Sequence, residues 1–335
     1  MTTTTHIPAV TVLLPVYNAS SYVRRAVQSV LDQVFSDFEL IIIDDGSKDG
    51  SVEILSQFSD PRIRLLVHGE NRGLIATLNE GIAASRGIYV ARMDADDICK
   101  RDRLQVQWEF LQAHHEVGVV GGAYETIGEK RSRRIYLPED DAAIRCRMLF
   151  ASPFAHPAVM MRASLLKQHN YPTGLVGAED MALWIRLSGV TQMANLPEVL
   201  LKYRIHEAQE SKVKAAQKME SRLRIFEEYL KGLGCRPTIE QLQLHAAIAT
   251  GTGLKTEAAL VAAGEWLGQL EDQLSTKLYP ELLKQECSLR WFIVCGNSGL
   301  GRSGWKILRD HPLSHHLGVT SKEYWKARIK LLLQA

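Results

Sequence analysis

Five short apolar runs set the architecture open to this chain: VTVLLP (10–15), FELIIIDDG (38–46), RIRLLVH (62–68), IYVARMD (88–94) and VGVVGG (117–122). FELIIIDDG is apolar almost throughout rather than alternating, the pattern of a strand covered on both faces. Segments of helical spacing lie between the runs. Tyr22, Val23, Ala26, Val27, Val30, Leu31 and Val34 share one face, with Ser20 in place to cap the helix. A second helical stretch runs from Leu74 to Ala84, and Leu104, Trp108 and Leu111 mark a third. Strands alternating with helices predict βαβ units and a mostly parallel sheet, an α/β fold.

From about Lys212 the pattern changes. Leu, Ala, Lys, Glu and Gln dominate at helical spacing, as in Met219, Leu223, Phe226 and Leu230, which predicts a helical C-terminal region. Apart from the Thr run at 2–5 there is no low-complexity tract and no internal repeat. With 335 residues the chain can bury a full core and divide into more than one unit. A net charge of +2 gives no electrostatic reason to expect a nucleic-acid partner. Five cysteines without a C-x-x-C pair suggest neither a zinc site nor a disulfide framework, and a reduced, cytoplasmic setting is expected. MTTTTHIPAV is not a signal-peptide pattern, and no apolar run approaches the roughly 20 residues of a spanning helix.

In parallel α/β sheets, ligands bind beyond the carboxyl ends of the strands. Three polar clusters fall there: PVYN (15–18), DDGS (44–47) and DADD (94–97). The last sets three acids in four positions, where like charges repel unless a cation lies among them. On extended backbone Asp94 and Asp96 project the same way, so both could face one hard cation. Taken alone, DADD is equally a loop of solvated acids with Asp102 capping the next helix. DDGS is equally turn chemistry, with Ser47 or Asp49 capping a helix that begins near Ser51.

Order and spacing carry more than any one cluster. PVYN, IIIDDGSKDGS, NRGLIATLNEGI (71–82), YVARMDADDICKRDRL (89–104), HPAVMMR (156–162), AEDMALWIRL (178–187) and YRIHEAQES (203–211) together resemble family 2 glycosyltransferases of the GT-A fold. The resemblance covers residues 8–211 and leaves 212–335 as a helical region of unassigned role. It implies a Rossmann-like catalytic domain that transfers one sugar from a nucleoside-diphosphate donor, UDP-linked in the first instance, with inversion. Pro15 and Tyr17 would line the base, Asp45 would accept a hydrogen bond from it, and Arg72 would reach the phosphates. Asp94 would face the ribose or the metal. Asp96 would be the main ligand of a divalent cation, Mn²⁺ or Mg²⁺, bridging to the diphosphate, with His206 approaching that metal. Asp180 would be the base that takes the acceptor's proton, with Glu179 in reserve. His156 and Arg204 would contact acceptor or diphosphate.

Each of these residues also has an ordinary structural reading. Glu179 and Asp180 could be first-turn acids favoured by the helix dipole, with Trp184 and Leu187 packing below. Either histidine could be a half-buried ring. Among other classes, a nucleotidyltransferase or a dinucleotide-dependent oxidoreductase would carry a Gly-rich loop after the first strand, which PVYNASS lacks. A non-catalytic nucleotide-sugar-binding protein would be expected to lack Asp96 or Asp180. A processive synthase would show spanning helices and a Q-x-x-R-W pattern, and neither is here. The acceptor expected is a saccharide or a lipid-linked sugar, in surface polysaccharide or glycolipid synthesis. KEYWKARIKLLLQA (322–335) mixes Lys and Arg with Trp, Ile and Leu, which fits a terminal helix packed on its own protein and also a helix on a membrane surface. The helical region could equally serve a homodimer.

Overall fold

The structure, a computed structural model, describes residues 6–128, 131–206, 215–316 and 322–333. The 207–211 half of YRIHEAQES, the expected boundary at 211/212, the Thr run and residues 334–335 lie outside the described residues.

The chain forms two compact units. The first comprises residues up to Asp141 together with Pro153–Lys218, and the second comprises Ala142–Ser152 and Met219 onward. The first unit is built on a nine-stranded sheet in the order β3-β2-β1-β4-β8-β6-β9-β5, with β7 paired to β6. The strands are β1 (Val10–Val16), β2 (Phe38–Asp44), β3 (Ile63–Val67), β4 (Tyr89–Arg92), β5 (Ile98–Cys99), β6 (Val117–Ile127), β7 (Arg134–Ile135), β8 (Met160–Arg162) and β9 (Gln192–Arg204). The half formed by β3, β2, β1 and β4 is parallel throughout. Antiparallel pairing enters with β8 between β4 and β6, and β9 runs parallel to β6. All seven residues of β1 and all seven of β2 are buried, as the unbroken apolar runs require. Of the two acids in β2, Glu39 accepts from Thr11 Oγ1 at 2.7 Å and from Arg64 and Arg86, and Asp44 closes the strand.

The helices of this unit include α1 (Val23–Leu31), α2 (Ser51–Leu55), α3 (Leu74–Ala84) and α4 (Arg103–Ala113), all between strands. Helix α5 (Asp141–Met148) leads into the second unit, and α6 (Ala163–Gln168) and α7 (Glu179–Ser188) follow. The expected Ser20 cap is not made. Helix α1 starts two residues later with Tyr22 at its N-cap, and Ser20 is instead tied to Asp49 of the neighbouring loop through both its backbone N–H and its hydroxyl.

The second unit is helical: α8 (Ala215–Gly232, whose first residues belong to the first unit), α9 (Ile239–Thr250), α10 (Glu257–Leu274), α11 (Pro280–Asn297), α12 (Gly301–Asp310) and α13 (Lys322–Leu333). Its core gathers Trp266, Trp291, Phe292 and many leucines. Among the described residues no helix is long and apolar enough to cross a membrane.

Candidate active site

The site begins where β4 ends. Past Arg92 the chain leaves the sheet, and Asp94, Asp96 and Asp97 turn toward one another until an oxygen of each lies within 4.8 Å of the others. Two arginines organise the turn. Arg103, on α4 and 1% exposed, donates to the backbone oxygens of Arg92 (2.7 Å) and Val159 (3.2 Å), so a buried guanidinium pins the strand end. Arg92, also buried, holds Asp94 through both of its terminal nitrogens, one at 2.6 Å. Burial opposes the charge on Arg92, but Asp94 together with Tyr171 and Asp97 more than offsets it and raises its pKa.

Asp97 is the most constrained of the three. Burial, then the charges of Asp94 and Asp96, push its carboxyl well above the usual carboxylate range. Its Oδ1 accepts from the backbone N–H of Arg204 at 2.7 Å, while its Oδ2 is buried with no partner. A buried, unmatched oxygen beside two further carboxylates is a donor set suited to a hard divalent cation. The end of β9 closes over this cluster. Arg204 Nε donates to the backbone oxygen of Asp96 at 2.8 Å, and its guanidinium lies 4.7 Å from the centre of the Tyr22 ring. His206 Nε2 meets Asp96 Oδ2 at 2.8 Å, and its ring packs on Tyr22 at 5.1 Å.

The loops after β1 and β2 are laced together. Asn18 takes a left-handed backbone (φ 49°), and its Oδ1 accepts from Lys48 N–H. Ser47 Oγ accepts from Asn18 N–H, Ser51 Oγ from Ala19 N–H and Asp49 from Ser20 N–H, each at 2.8–2.9 Å. Tyr17 stands out at the tip, 52% exposed. Pro15 is a buried residue of β1 in register with Ile43. Gly46 is obligatory: its φ is +75°, and a Cβ would fall 2.5 Å from the backbone carbon of Glu70.

The two acids of DDGS divide their work. Asp44 Oδ1 accepts from Ser47 N–H inside the turn, and its Oδ2 is buried without a partner. Asp45 reaches the other way, accepting from Arg72 N–H (2.9 Å), Gly73 N–H (2.8 Å) and His68 Nδ1 (2.8 Å). Burial works against ionisation of Asp45, but these donors together hold its pKa below the ordinary value. In this conformation both of its oxygens are engaged within the protein, and what they fix is the loop that carries Arg72. The Arg72 side chain is itself about half exposed and lies 3.4 Å from Glu80.

A third wall comes from α7. Glu179 and Asp180 are its first two residues, where the helix dipole favours negative charge. Glu179 is buried and Asp180 is half-buried. Burial, then the charge of Asp180, raises the Glu179 carboxyl to about 7. Next to them Tyr171 is buried, and its hydroxyl meets His156 Nε2 at 2.7 Å. Burial, then Arg92, keeps the His156 ring neutral by lowering its pKa well below the usual range. Tyr171 feels the charges of Arg92, Asp180, Glu179 and Asp94, so the acids of β4 and of α7 converge on one region. His156 also packs edge-on against Trp184, 6.0 Å away on the same helix α7.

The structure thus brings Asp94, Asp96, His206 and Arg204 into one cluster, with Glu179, Asp180 and His156 electrostatically tied to it through Arg92 and Tyr171. Pro15 and Asp45 lie inside the fold, behind the exposed Tyr17 and Arg72. Arg92, Asp97 and Arg103 escaped assignment from sequence. Arg92 and Arg103 sit within the quoted motif YVARMDADDICKRDRL, but nothing in one sequence tells a buried arginine from a solvated one.

Comparison with known proteins identifies the class. Residues 11–169 match Glycosyl transferase family 2. An uncharacterized glycosyltransferase of Haemophilus influenzae is 32% identical over 249 residues, spanning 68% of this chain and 76% of the relative. The chain belongs to the family 2 glycosyltransferases, and the fold has solved counterparts. Staphylococcus aureus TarS 1-349, solved with UDP-GlcNAc, superposes with a TM-score of 0.59 at 16% identity, over 96% of this chain and 90% of TarS 1-349. A mannosyltransferase from Pyrobaculum calidifontis, solved with GDP-Man and Mn²⁺, gives 0.54 at 20% identity, over 85% and 87%. At such identities the likeness is one of fold, and it matches the GT-A type of sheet with flanking helices. This protein is accordingly a glycosyltransferase.

Proposed function

We propose that this glycosyltransferase is a metal-dependent, inverting enzyme that moves one sugar from a nucleoside diphosphate to an acceptor hydroxyl. The observation that carries the proposal is the cluster of three carboxylates within 4.8 Å at the end of β4, one of them with an orphaned buried oxygen. Asp94, Asp96 and Asp97 would hold the divalent cation, with His206 steadying Asp96. When bound, that cation neutralises charge on the departing diphosphate. That the two solved counterparts carry UDP-GlcNAc and GDP-Man with Mn²⁺ supports a nucleotide-sugar donor and leaves both bases to be tried.

The protein's own groups supply the rest. Tyr17 offers an exposed ring face for the base, and Arg72, held by the Asp45-anchored loop, offers a cation to the phosphates. Asp180, half-buried and at a helix start, is the base. It takes the proton of the acceptor hydroxyl as the new bond from that oxygen to the anomeric carbon forms and the bond to the diphosphate oxygen breaks, with the electron pair leaving on the diphosphate. Burial and the charge of Asp180 favour the protonated form of Glu179, which makes Asp180 the better placed of the two to act as base. Arg92 keeps Asp94 oriented between the two halves. His156 and Tyr171 shape the region where the acceptor enters. The acceptor we expect is a saccharide or a lipid-linked sugar, in cytoplasmic assembly of a surface polysaccharide or glycolipid.

The test is a thermal-shift panel of UDP, GDP, dTDP and CMP, each with and without Mn²⁺, on the parent and on Asp96→Ala. One diphosphate should raise the melting temperature only with Mn²⁺ and only in the parent. If no nucleotide shifts the parent under any condition, the donor and metal assignments are wrong.

A further inference from the structure

Helix α13 belongs to the helical unit and has two different apolar faces. One is consumed by packing: Tyr324, Ala327 and Leu331 are buried, against Phe292 and Trp305, Gly296, and Gly304 respectively. The other is not. Trp325, Ile329, Leu332 and Leu333 are 45%, 53%, 52% and 83% exposed, at spacings of four, three and one that set them on a single side. Among the described residues fifteen large hydrophobics are this exposed, and four of them lie in this twelve-residue helix. Such concentration marks a surface that meets something.

Charge decides what it meets. Lys322 and Lys326, one turn apart and both exposed, lie along one edge of the exposed apolar strip, while Lys330, the next in the series, donates to Asn297 Oδ1 at 2.8 Å. Arg328 lies on the opposite edge, its guanidinium over the Trp325 and Trp305 rings at 4.7 and 5.2 Å. The helix carries these four basic residues and a single acid, Glu323. An aromatic and aliphatic strip edged by cations on both sides matches a bilayer interface, where the apolar side chains enter the acyl boundary and the amines reach anionic headgroups.

A second copy of the chain fits less well. Its own lysines would meet these with almost no acid to offset them. The four exposed side chains also present only a few hundred Å², well short of the ~800 Å² per partner usual in a stable interface.

We propose that α13 docks the protein on an anionic membrane surface through Trp325, Ile329, Leu332 and Leu333, with Lys322 and Lys326 reading the lipid charge. The inference does not depend on the donor or metal assignments, because docking needs neither nucleotide nor acceptor. For a glycosyltransferase it would place the enzyme beside lipid-linked acceptors.

The experiment is cosedimentation of the full chain with vesicles of phosphatidylcholine alone and of equal parts phosphatidylcholine and phosphatidylglycerol. The protein should pellet with the anionic vesicles only, and raised salt should release it. The double variant Ile329→Ser/Leu333→Ser changes two exposed side chains outside the ring contacts of the packed face, so it should keep the parent's melting temperature while binding falls by about tenfold or more. Lys322→Gln/Lys326→Gln should lose roughly fivefold per lysine. The proposal is overturned if the full chain fails to pellet with anionic vesicles, or if both variants bind as the parent does. It is also overturned if the apolar pair instead governs a concentration-dependent dimer.

Discussion

The end of β4 and the surroundings of His245 are both places where polar groups sit inside the protein, and they are built on opposite terms. His245, on α9 and fully buried, has every bonding position filled. Its Nε2 donates to Leu149 O at 2.7 Å, its Nδ1 accepts from Trp266 Nε1 at 3.1 Å, and Phe150 stacks on the ring at 4.8 Å. That network admits only the neutral ring. At β4 three carboxylates crowd together, Asp97 keeps an unmatched buried oxygen, and one buried arginine offsets part of the charge. A satisfied buried network stabilises and specifies. An unsatisfied one costs stability and persists where function requires it. The contrast separates a satisfied structural histidine from an under-satisfied acid cluster, the one proposed to hold a cation.

The sharpest way to break the contrast is to neutralise the acids proposed for transfer. Asp180→Asn, isosteric and at a half-buried position, should lower turnover by about three orders of magnitude or more while leaving nucleotide binding in place, the signature of a lost general base. Asp96→Ala should lower it comparably, but through loss of Mn²⁺-dependent donor binding. Steady-state kinetics with a thermal-shift assay tells them apart, and equal losses of donor binding in both would refute the division of roles. Neither variant should reduce stability in the absence of ligand.

The converse holds at His245. His245→Ala removes two buried hydrogen bonds and leaves a cavity among Phe150, Phe226 and Trp266, so it should cost about 3 kcal/mol of unfolding free energy. Titration sharpens the point. Burial lowers the His245 pKa from 6.5 to about 4. Between those values the unfolded chain binds the proton and the folded one does not, so the contribution is intact above pH 6.5 and is lost as pH falls toward 4. Its upper limit is about 3 kcal/mol.

Glu179 runs the other way. Its carboxyl is raised from 4.5 to about 7, so the folded state holds a proton that the unfolded state has released. Stability is highest below pH 4.5 and declines as pH rises through 7, again by up to about 3 kcal/mol, less whatever water reaches the group. Urea titrations at pH 5 and pH 7.5 on the parent, His245→Ala and Glu179→Gln should show opposite pH slopes removed by the two substitutions. Slopes of the same sign would contradict one of the two burial assignments.

What could be read from the sequence follows from how local each signal is. The five apolar runs all became strands, and the three polar clusters all lie at strand ends, because period and composition are local properties. Strand β9 was not foreseen: Pro197 and Glu198 are exposed in its middle, and its register against β6 shifts beside Gly122 and Ala123, so its alternation is broken. Strand β8 has only three residues. The passage of 142–152 into the helical unit depends on long-range packing that no local pattern encodes. Within the site, Asp94, Asp96, His206 and Arg204 could be singled out from sequence, but the buried arginines behind them could not. Arg92 and Arg103 are buried cations whose meaning comes only from the carboxylate and carbonyls they meet. Asp45 stands beside Asp44 in sequence, yet turns to a different loop.

Asp97 offers the finest test of the contrast, because it can be made to resemble His245. In Asp97→Asn the amide oxygen can keep the 2.7 Å bond from Arg204 N–H, so the end of β9 stays in place. An acid whose ionisation its burial and neighbours oppose is gone, and the amide N–H₂ can donate to the neighbouring carboxylates. A buried cluster that was under-satisfied becomes matched. Without metal or nucleotide the variant should be more stable than the parent by about 1 kcal/mol, the usual worth of a gained hydrogen bond plus relief of like-charge repulsion. Its Mn²⁺-dependent nucleotide shift should at the same time shrink or vanish, because a carboxylate oxygen suited to a hard cation has become an amide. A gain in ligand-free stability with a loss of metal response would show that repulsion at β4 is retained for binding. A variant less stable than the parent would mean that Asp97 is held by its contacts as His245 is, and that the crowding at β4 carries no penalty for a cation to relieve.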